Sequence, residues 1–100
     1  MPRDNNAKKL KAIILTADKF EDMEVMYPLF RLQEAGWQVD VVAPKIEEIH
    51  GEFGYGQFMP DITIEKVNPD NYDLFIIPGG SPDGAPATVR KIKKAQLVLI

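Results

Sequence analysis

The chain has 100 residues, a formal net charge of −3 and no cysteine. This length predicts one domain, and the acidic balance argues against an obligate nucleic-acid binder, which would carry a basic stripe. Without cysteine, disulfides, thiolate metal sites and a cysteine nucleophile are excluded within these residues. No apolar run approaches the ~20 residues that span a bilayer, and the polar N-terminus has no signal-peptide pattern. The sequence therefore predicts a cytoplasmic protein without a membrane or nucleic-acid partner.

Strand and helix patterns alternate along the chain. After a flexible leader over 1–9, they predict a strand over 11–17, a loop over 18–22, a helix over 23–35 and a strand over 37–43. A glycine-rich excursion over 51–56 with short hairpin strands comes next, followed by a short strand over 62–67 and a turn over 68–70. The last predicted elements are a strand over 74–77, a loop over 81–86 and a helix over 87–94. Alternating strands and helices are typical of a doubly wound α/β fold with a mostly parallel sheet.

The sequence leaves two alternatives open for the predicted helix and two for the C-terminal tail. Gly36 ends the helix, and Pro28 lies within it, so we expect a kink or a restart with Pro28 near a first-turn position. The tail over 95–100 is apolar to its last residue, and its periodicity fits a strand or a helix equally. Because natural termini tend to be polar, we expect that the sequence breaks off inside an element.

The strand over 74–77 is apolar throughout and is followed at once by Pro78-Gly79-Gly80. A continuous apolar run is typical of a parallel-sheet strand that is buried on both faces. Pro78 ends the hydrogen-bonded ladder, and the two glycines leave backbone N–H groups open to a ligand. Since ligands bind beyond the carboxyl ends of strands in open α/β sheets, this segment is a candidate anion or oxyanion cradle.

Four acidic residues follow the first predicted strand, on the same edge of the sheet. Asp18, Glu21 and Asp22 are interpreted as helix caps that oppose the positive end of the helix dipole. Glu24 lies farther along, before Pro28, where a kink would turn its side chain over the strand ends. A carboxyl placed there would be partly desolvated and its pKa would rise, so Glu24 is the candidate functional acid of this loop.

Several of these segments together resemble the ThiJ/PfpI superfamily, which includes intracellular protease I. The resemblance rests on Leu15 to Glu24, Tyr27-Pro28, Arg31-Leu32, Glu34 to Val39, Lys66 to Pro69, Tyr72-Asp73 and Pro78-Gly79-Gly80. It implies a flavodoxin-like, class I glutamine amidotransferase-like α/β fold, with 10–100 as the N-terminal part of a single domain that is incomplete at its C-terminus. The same resemblance places the tail over 95–100 in a helix.

The resemblance also implies a site. The family carries a reactive cysteine on a strained strand-to-helix elbow, which would lie beyond the end of this sequence. Glu24 matches the family's acid near that cysteine, and Gly80 matches its oxyanion-hole glycine, with Gly79 beside it. Asp83 is a further candidate acid, although an aspartate in such a loop is more often a turn former. Ala87 occupies the position of the acid that follows Pro-Gly-Gly in the intracellular proteases, so that position does not supply the aspartate–histidine arm of a triad.

These residue types fit thiol chemistry. A thiolate is the reactive form of a cysteine nucleophile. Because two anions in contact are unfavourable, a carboxyl beside the thiolate keeps its proton and donates a hydrogen bond to the sulfur. Glu24 would orient and tune the sulfur in this way, and the Gly80 N–H would stabilise the developing oxyanion. Loss of one oxyanion donor typically costs about 2.7–4 kcal/mol of transition-state stabilisation.

The resemblance implies a cysteine-dependent hydrolase, of the peptidase or the glyoxalase and deglycase type, that acts on a peptide or a small carbonyl substrate with no cofactor or metal. The 100-residue chain alone would be inactive, since the nucleophile lies elsewhere. Family members commonly form homodimers or hexamers, so we expect a homo-oligomer. The alternative is a non-catalytic stress-response or chaperone-like module on the same fold, which lacks the cysteine elbow or has an intact elbow without turnover.

Other features receive structural interpretations. His50 is the one histidine and has no second ligand of suitable type nearby, so it is interpreted as a surface or loop residue. The glycines of 51–56 serve turns, because a dinucleotide-binding fingerprint would sit between the first strand and its helix. The basic residues of 90–94 form a solvated helix face or a subunit contact. A phosphoacceptor receiver domain is disfavoured, because Pro78-Gly79-Gly80 occupies the strand end where its aspartate would stand.

Overall fold

The computed structural model describes residues 9–78 and a strand at 96–99. The elements are β1 (Lys11–Leu15), α1 (Asp22–Glu34), β2 (Gln38–Ala43), β3 (Ile49–His50), β4 (Gln57–Phe58), β5 (Ile62–Thr63), β6 (Leu74–Ile77) and β7 (Gln96–Leu99), with 3-10 turns at Ile64–Lys66 and Pro69–Asn71. The predicted first and second strands, the helix between them, the short hairpin and the strand before Pro78 are all confirmed. No helix in this part of the chain has both the length and the apolarity needed to cross a bilayer.

Five parallel strands form one sheet in the order β5-β2-β1-β6-β7. β1 lies at its centre, with Ala12 in register with Val39 of β2 and with Leu74 of β6. The chain builds the sheet outward from β1 in both directions, which is the doubly wound, flavodoxin-like α/β fold that the sequence predicts. Parallel sheets are covered on both faces, and this explains why β6 and the part of β1 after Lys11 are continuous apolar runs.

Two cores lie on opposite faces of the sheet, because successive residues of a strand point to opposite sides. The core on the α1 side comprises Ala12, Ile14, Phe20, Val25, Leu29, Val39, Val41, Ile49 and Ile76. The core on the other side comprises Ile13, Leu15, Val42, Val67, Phe75 and Ile77. The α1-side core holds the helix against the sheet and so sets where the first turn of α1 lies.

Helix α1 begins and ends where the capping signals predict. The Glu21 carboxylate accepts a hydrogen bond of 3.0 Å from the Met23 N–H. Gly36 follows the C-cap residue with a φ of 93°, a left-handed conformation that favours glycine. The helix continues through Pro28, which lies in its middle, so the expected first-turn position was wrong. Buried residues on both sides of the proline anchor the helix and compensate for the hydrogen bond that proline cannot donate.

The predicted strand over 62–67 is shorter than expected. Only Ile62–Thr63 forms a strand, and a 3-10 turn follows at Ile64–Lys66. Thr63 is the register partner of Ala43, the last residue of β2. A longer strand would have no neighbour to pair with, so the chain turns away from the sheet.

The tail over 95–100, which the resemblance places in a helix, contains a strand instead. Gln96–Leu99 pairs in parallel with all four residues of β6. An apolar segment that contains the β-branched Val98 satisfies its backbone groups by joining the open edge of β6. The predicted loop over 81–86, the helix with its basic cluster over 87–94 and all but the last residue of the leader lie outside the described residues.

Candidate functional site

The carboxyl ends of β1 and β6 lie side by side. Their register pairs Ile14 with Ile76, so the two strands end together. Thr16 and Pro78 follow them, and both are buried. The strand order runs outward in opposite directions from this pair, and open α/β sheets bind ligands at such switch points. The β1–α1 loop and the proline that precedes the glycine pair therefore meet at one edge of the sheet.

Among the predicted site residues, Glu24 belongs to the described part of the chain, whereas Gly79, Gly80 and Asp83 lie outside it. Glu24 is the third residue of α1 and is half-buried. With 3.6 residues per turn, it lies about 200° round the helix from Asp22. The two carboxyls of the first turn therefore have different surroundings. The catalytic roles of Glu24 and of the residues after Pro78 stay predictions.

Asp22 is a buried carboxylate bound by backbone donors. Its side chain is fully buried, and its two oxygens accept hydrogen bonds from the N–H groups of Phe53 (2.7 Å), Tyr55 (2.7 Å) and Gly56 (2.9 Å). Burial acts to raise the pKa of Asp22, but the hydrogen bonds outweigh burial, and the pKa lies below its ordinary value. Asp22 is therefore ionised at neutral pH and is fully engaged in holding the loop.

The glycine-rich segment 51–56 is shaped around this carboxylate. The Gly51 N–H donates to the Gly56 carbonyl at 2.9 Å, and the Gly54 N–H donates to the Gly51 carbonyl at 3.1 Å. Gly54 has a φ of 80°, and a Cβ at Gly51 would overlap the Asp22 carboxylate. The prediction that these glycines serve turns is confirmed, and the turns also aim N–H groups inward, as in an anion-binding nest.

The three acids that the sequence pattern groups as caps have three different roles. Glu21 is a cap, as predicted. Asp18 accepts the His50 N–H at 2.9 Å, and this hydrogen bond is the main cause of a pKa below the ordinary value. Asp22 binds donors that lie 31 to 34 residues away. The contact between Asp22 and the glycine-rich segment has one signal in the sequence, an acid-rich loop with a glycine-rich loop later in the chain. The interpretation of Asp22 as a helix cap missed this signal.

The β3–β4 hairpin holds the β1–α1 loop from outside. The Lys19 N–H donates to the His50 carbonyl at 2.8 Å, and the Glu52 N–H donates to the Phe20 carbonyl at 2.8 Å. These bonds hold Lys19 at a φ of 64°, which is costly for a residue other than glycine. The His50 side chain is exposed and lies 3.2 Å from the Glu48 carboxylate. Within the described residues, no group of three histidine or acidic side chains is arranged to hold a metal ion.

An open cleft of about 260 Å³ lies at the carboxyl ends of β1 and β2. It is lined by Ala17, Asp18, Ala43, Pro44, Lys45, Glu47, Glu48 and Ile49. Its volume is slightly below the roughly 300–1,000 Å³ of pockets that hold drug-sized ligands. The cleft can therefore hold a small group, at the same edge of the sheet as the β1–β6 switch point.

A doubly wound sheet with its candidate site at this edge is an architecture that many α/β enzymes and binding proteins share. Within that class, the chain belongs to the DJ-1/PfpI family, whose family model matches residues 10–98.

The relatives agree with this assignment. The chain is 43% identical to a deglycase of Pyrococcus abyssi over 86 residues. This match covers 86% of this chain and 49% of the relative. The chain is 40% identical, with the same shares covered, to the deglycase PfpI of Pyrococcus furiosus. A solved two-domain protein of Anabaena variabilis, with DJ-1/ThiJ/PfpI-like and ferritin-like domains, superposes with a TM-score of 0.74 at 32% identity, over 81% of this chain and 26% of that one. The chain spans about half the length of the curated relatives it matches.

Proposed function

We propose that the chain provides one half of a cysteine-dependent deglycase, in which Glu24 and Gly80 serve a cysteine that lies outside these residues. The observation that carries the proposal is the side-by-side ending of β1 and β6. This arrangement brings the loop that leads to Glu24 and the proline that leads to Gly80 to one edge of the sheet. Two relatives at 40% identity or more are named as deglycases, which favours this activity over peptidase activity.

Glu24 is the proposed hydrogen-bond donor to the thiolate. It stands in the first turn of α1, which follows the loop at the carboxyl end of β1. A protonated carboxyl can donate to sulfur without adding a second negative charge. A hydrogen bond from the carboxyl would therefore stabilise the thiolate and favour an ionised thiol at neutral pH.

Gly80 is the proposed oxyanion donor. When the sulfur adds to a carbonyl carbon, a C–S bond forms and the π pair moves to the carbonyl oxygen. A backbone N–H aimed at that oxygen stabilises the new charge without any reorganisation during the reaction. A glycine suits this role because a Cβ would hinder close approach of the substrate to the backbone.

The first test is a titration of thiolate absorbance in the full-length protein. Glu24→Gln should raise the apparent pKa of the thiol, because an amide is a weaker hydrogen-bond donor to the thiolate than a carboxyl. Glu21→Gln is the matched control, since it makes the same change at the cap residue of the same loop. If the wild-type and Glu24→Gln curves coincide, Glu24 has no part in the mechanism.

The second test is activity on two substrates. The full-length protein should release the free amine from a carbonyl-modified amino acid faster than it cleaves a peptide bond, and Glu24→Gln should lower kcat by roughly 10²-fold. A protein with an intact, alkylatable cysteine but no turnover on either substrate would contradict the enzyme proposal and favour the non-catalytic module.

A further inference from the structure

Met26 lies between helix α1 and the glycine-rich segment 51–56. A Cβ placed on Gly56 would stand 3.1 Å from the Met26 sulfur and 3.1 Å from the edge of the Phe20 ring. Because this spacing is tighter than an ordinary contact, the sulfur and the ring leave no room for a further atom beside the Gly56 backbone. A thioether next to an aromatic ring makes a favourable apolar contact. Met26 therefore supports the segment from the helix side.

Gly56 is the residue at which the segment is both closed and attached to α1. Its N–H donates to the Asp22 carboxylate at 2.9 Å, and its carbonyl accepts the Gly51 N–H at 2.9 Å. The bond to Asp22 is buried, so a displaced Gly56 N–H would lose its acceptor without gaining water in exchange. A shift of Gly56 would therefore weaken the turn and its attachment to the helix together.

The Met26 side chain is within reach of a small oxidant. It is partly buried and lines a groove of about 280 Å³ along α1. A water molecule takes up roughly 30 Å³ in the liquid, so the groove has room for a molecule as small as hydrogen peroxide. Met26 is thus in contact with the groove on one side and with the glycine-rich segment on the other.

Oxidation of the thioether would remove the support that Met26 gives to Gly56. The sulfur lone pair attacks one oxygen of hydrogen peroxide, the O–O bond breaks, an S–O bond forms, and the other oxygen leaves as water with both hydrogens. Sulfur is oxidised, peroxide is reduced, and the apolar thioether becomes a polar sulfoxide. A sulfoxide oxygen that points at Gly56 has no room there, and one that turns to water in the groove draws the side chain away from the segment.

We propose that Met26 is a site of reversible oxidation, and that its sulfoxide releases the segment 51–56 from the Asp22 carboxylate. Met23 and Met59 provide the contrast. Both are more exposed, at 59% and 57%, but neither is among the atoms nearest to the three glycines of the segment. Their oxidation should leave the segment in place. The proposal goes beyond the proposed function, since it does not depend on the cysteine or on Glu24.

The main test is hydrogen exchange at the N–H groups of Phe53, Tyr55 and Gly56 in the full-length protein, before and after hydrogen peroxide. Cysteines are alkylated beforehand, and mass spectrometry of the peptides locates each sulfoxide. Oxidation of Met26 should accelerate exchange of these three N–H groups by about tenfold or more. Methionine sulfoxide reductases remove the added oxygen, so they should restore slow exchange.

Leucine variants show which methionine is responsible. Met26→Leu has a similar volume and cannot form a sulfoxide, so its exchange should stay slow in peroxide. Met59→Leu is the matched control and should respond to peroxide as the wild type does. Absence of sulfoxide at Met26 under conditions that fully oxidise Met59 would overturn the proposal. Equal acceleration in Met26→Leu and the wild type would also overturn it, because another residue would then be the cause.

A polar variant gives a measurement that needs no oxidant. Met26→Gln places a polar group at the end of an unbranched side chain, so the N–H groups of the segment should exchange faster than in Met26→Leu. Met23→Gln is the control on the same helix and should leave exchange unchanged. Circular dichroism establishes that each variant is folded. Exchange in Met26→Gln that is as slow as in Met26→Leu would contradict the proposed effect of a polar group at this site.

Discussion

Asp22 and Glu24 lie in the same turn of α1, but their side chains are on different sides of the helix and differ in burial. Asp22 is fully buried and accepts three backbone hydrogen bonds from the glycine-rich loop. Glu24 is half-buried and lies about 200° away round the helix. The side of the helix, and not the acidic character of the loop, decides the surroundings of each carboxyl. Variants at the two positions should therefore separate stability from activity.

The largest expected effect is loss of the Asp22 carboxylate. Asp22→Ala leaves three inward-facing N–H groups without an acceptor, and such groups are costly when they cannot reach water. It should lower Tm more than a substitution at Gly51, Gly54 or Glu24 does. The Tm of Asp22→Asn should lie between those of Asp22→Ala and the wild type, because an amide keeps one accepting oxygen. A melting curve of Asp22→Ala that matches the wild type would show that the loop does not depend on this carboxylate.

The next largest effect is crowding of the same carboxylate from the loop side. Gly51→Ala places a methyl group where the Asp22 side chain lies, and should lower the free energy of unfolding by about 1–3 kcal/mol. Gly54→Ala is the matched control, because its φ of 80° is strained but its surroundings are open. It should cost about 1 kcal/mol. Urea unfolding measures both, and the reverse order would contradict the close approach at Gly51.

Low pH should reduce the stability that the ionised Asp22 carboxylate contributes to the fold. The pKa values of Asp22 and Asp18 lie below the ordinary value of 3.8. A carboxyl whose pKa is lowered by folding contributes stability that is fully present above the unfolded pKa and is lost as pH falls through the folded pKa. The urea midpoint should therefore change little between neutral pH and about pH 5 and fall below about pH 4. Asp22→Asn should show a smaller fall, and parallel curves for the two proteins would exclude Asp22 as a source.

The smallest expected effect on stability is at Glu24. Glu24→Gln keeps the size and shape of the side chain, so the free energy of unfolding should change by about 0.5 kcal/mol or less. The same substitution should change the thiol titration of the full-length protein. If Glu24→Gln instead destabilises the fold as strongly as Gly51→Ala, then Glu24 has a structural role and the contrast with Asp22 fails.

The central strands and the capped helix could be predicted from the sequence because their signals are local. The apolar run over 74–77 and its stop at Pro78 are enough to indicate a buried parallel strand. Glu21 and Gly36 mark the ends of α1 through hydrogen bonds and backbone angles within a few residues. The meeting of the β1 and β6 ends also follows, since the connection rules of α/β sheets leave few other arrangements.

The tertiary structure alone decided the features that depend on distant partners. Asp22 differs from Glu21 only because N–H groups 31 to 34 residues away surround it, and no local pattern encodes which acid those donors will reach. The tail segment became β7 because the edge of β6 was open to it, whereas its composition fits a helix as well. Short-range preferences thus determined the framework, and long-range backbone pairing determined which side chains within it are buried.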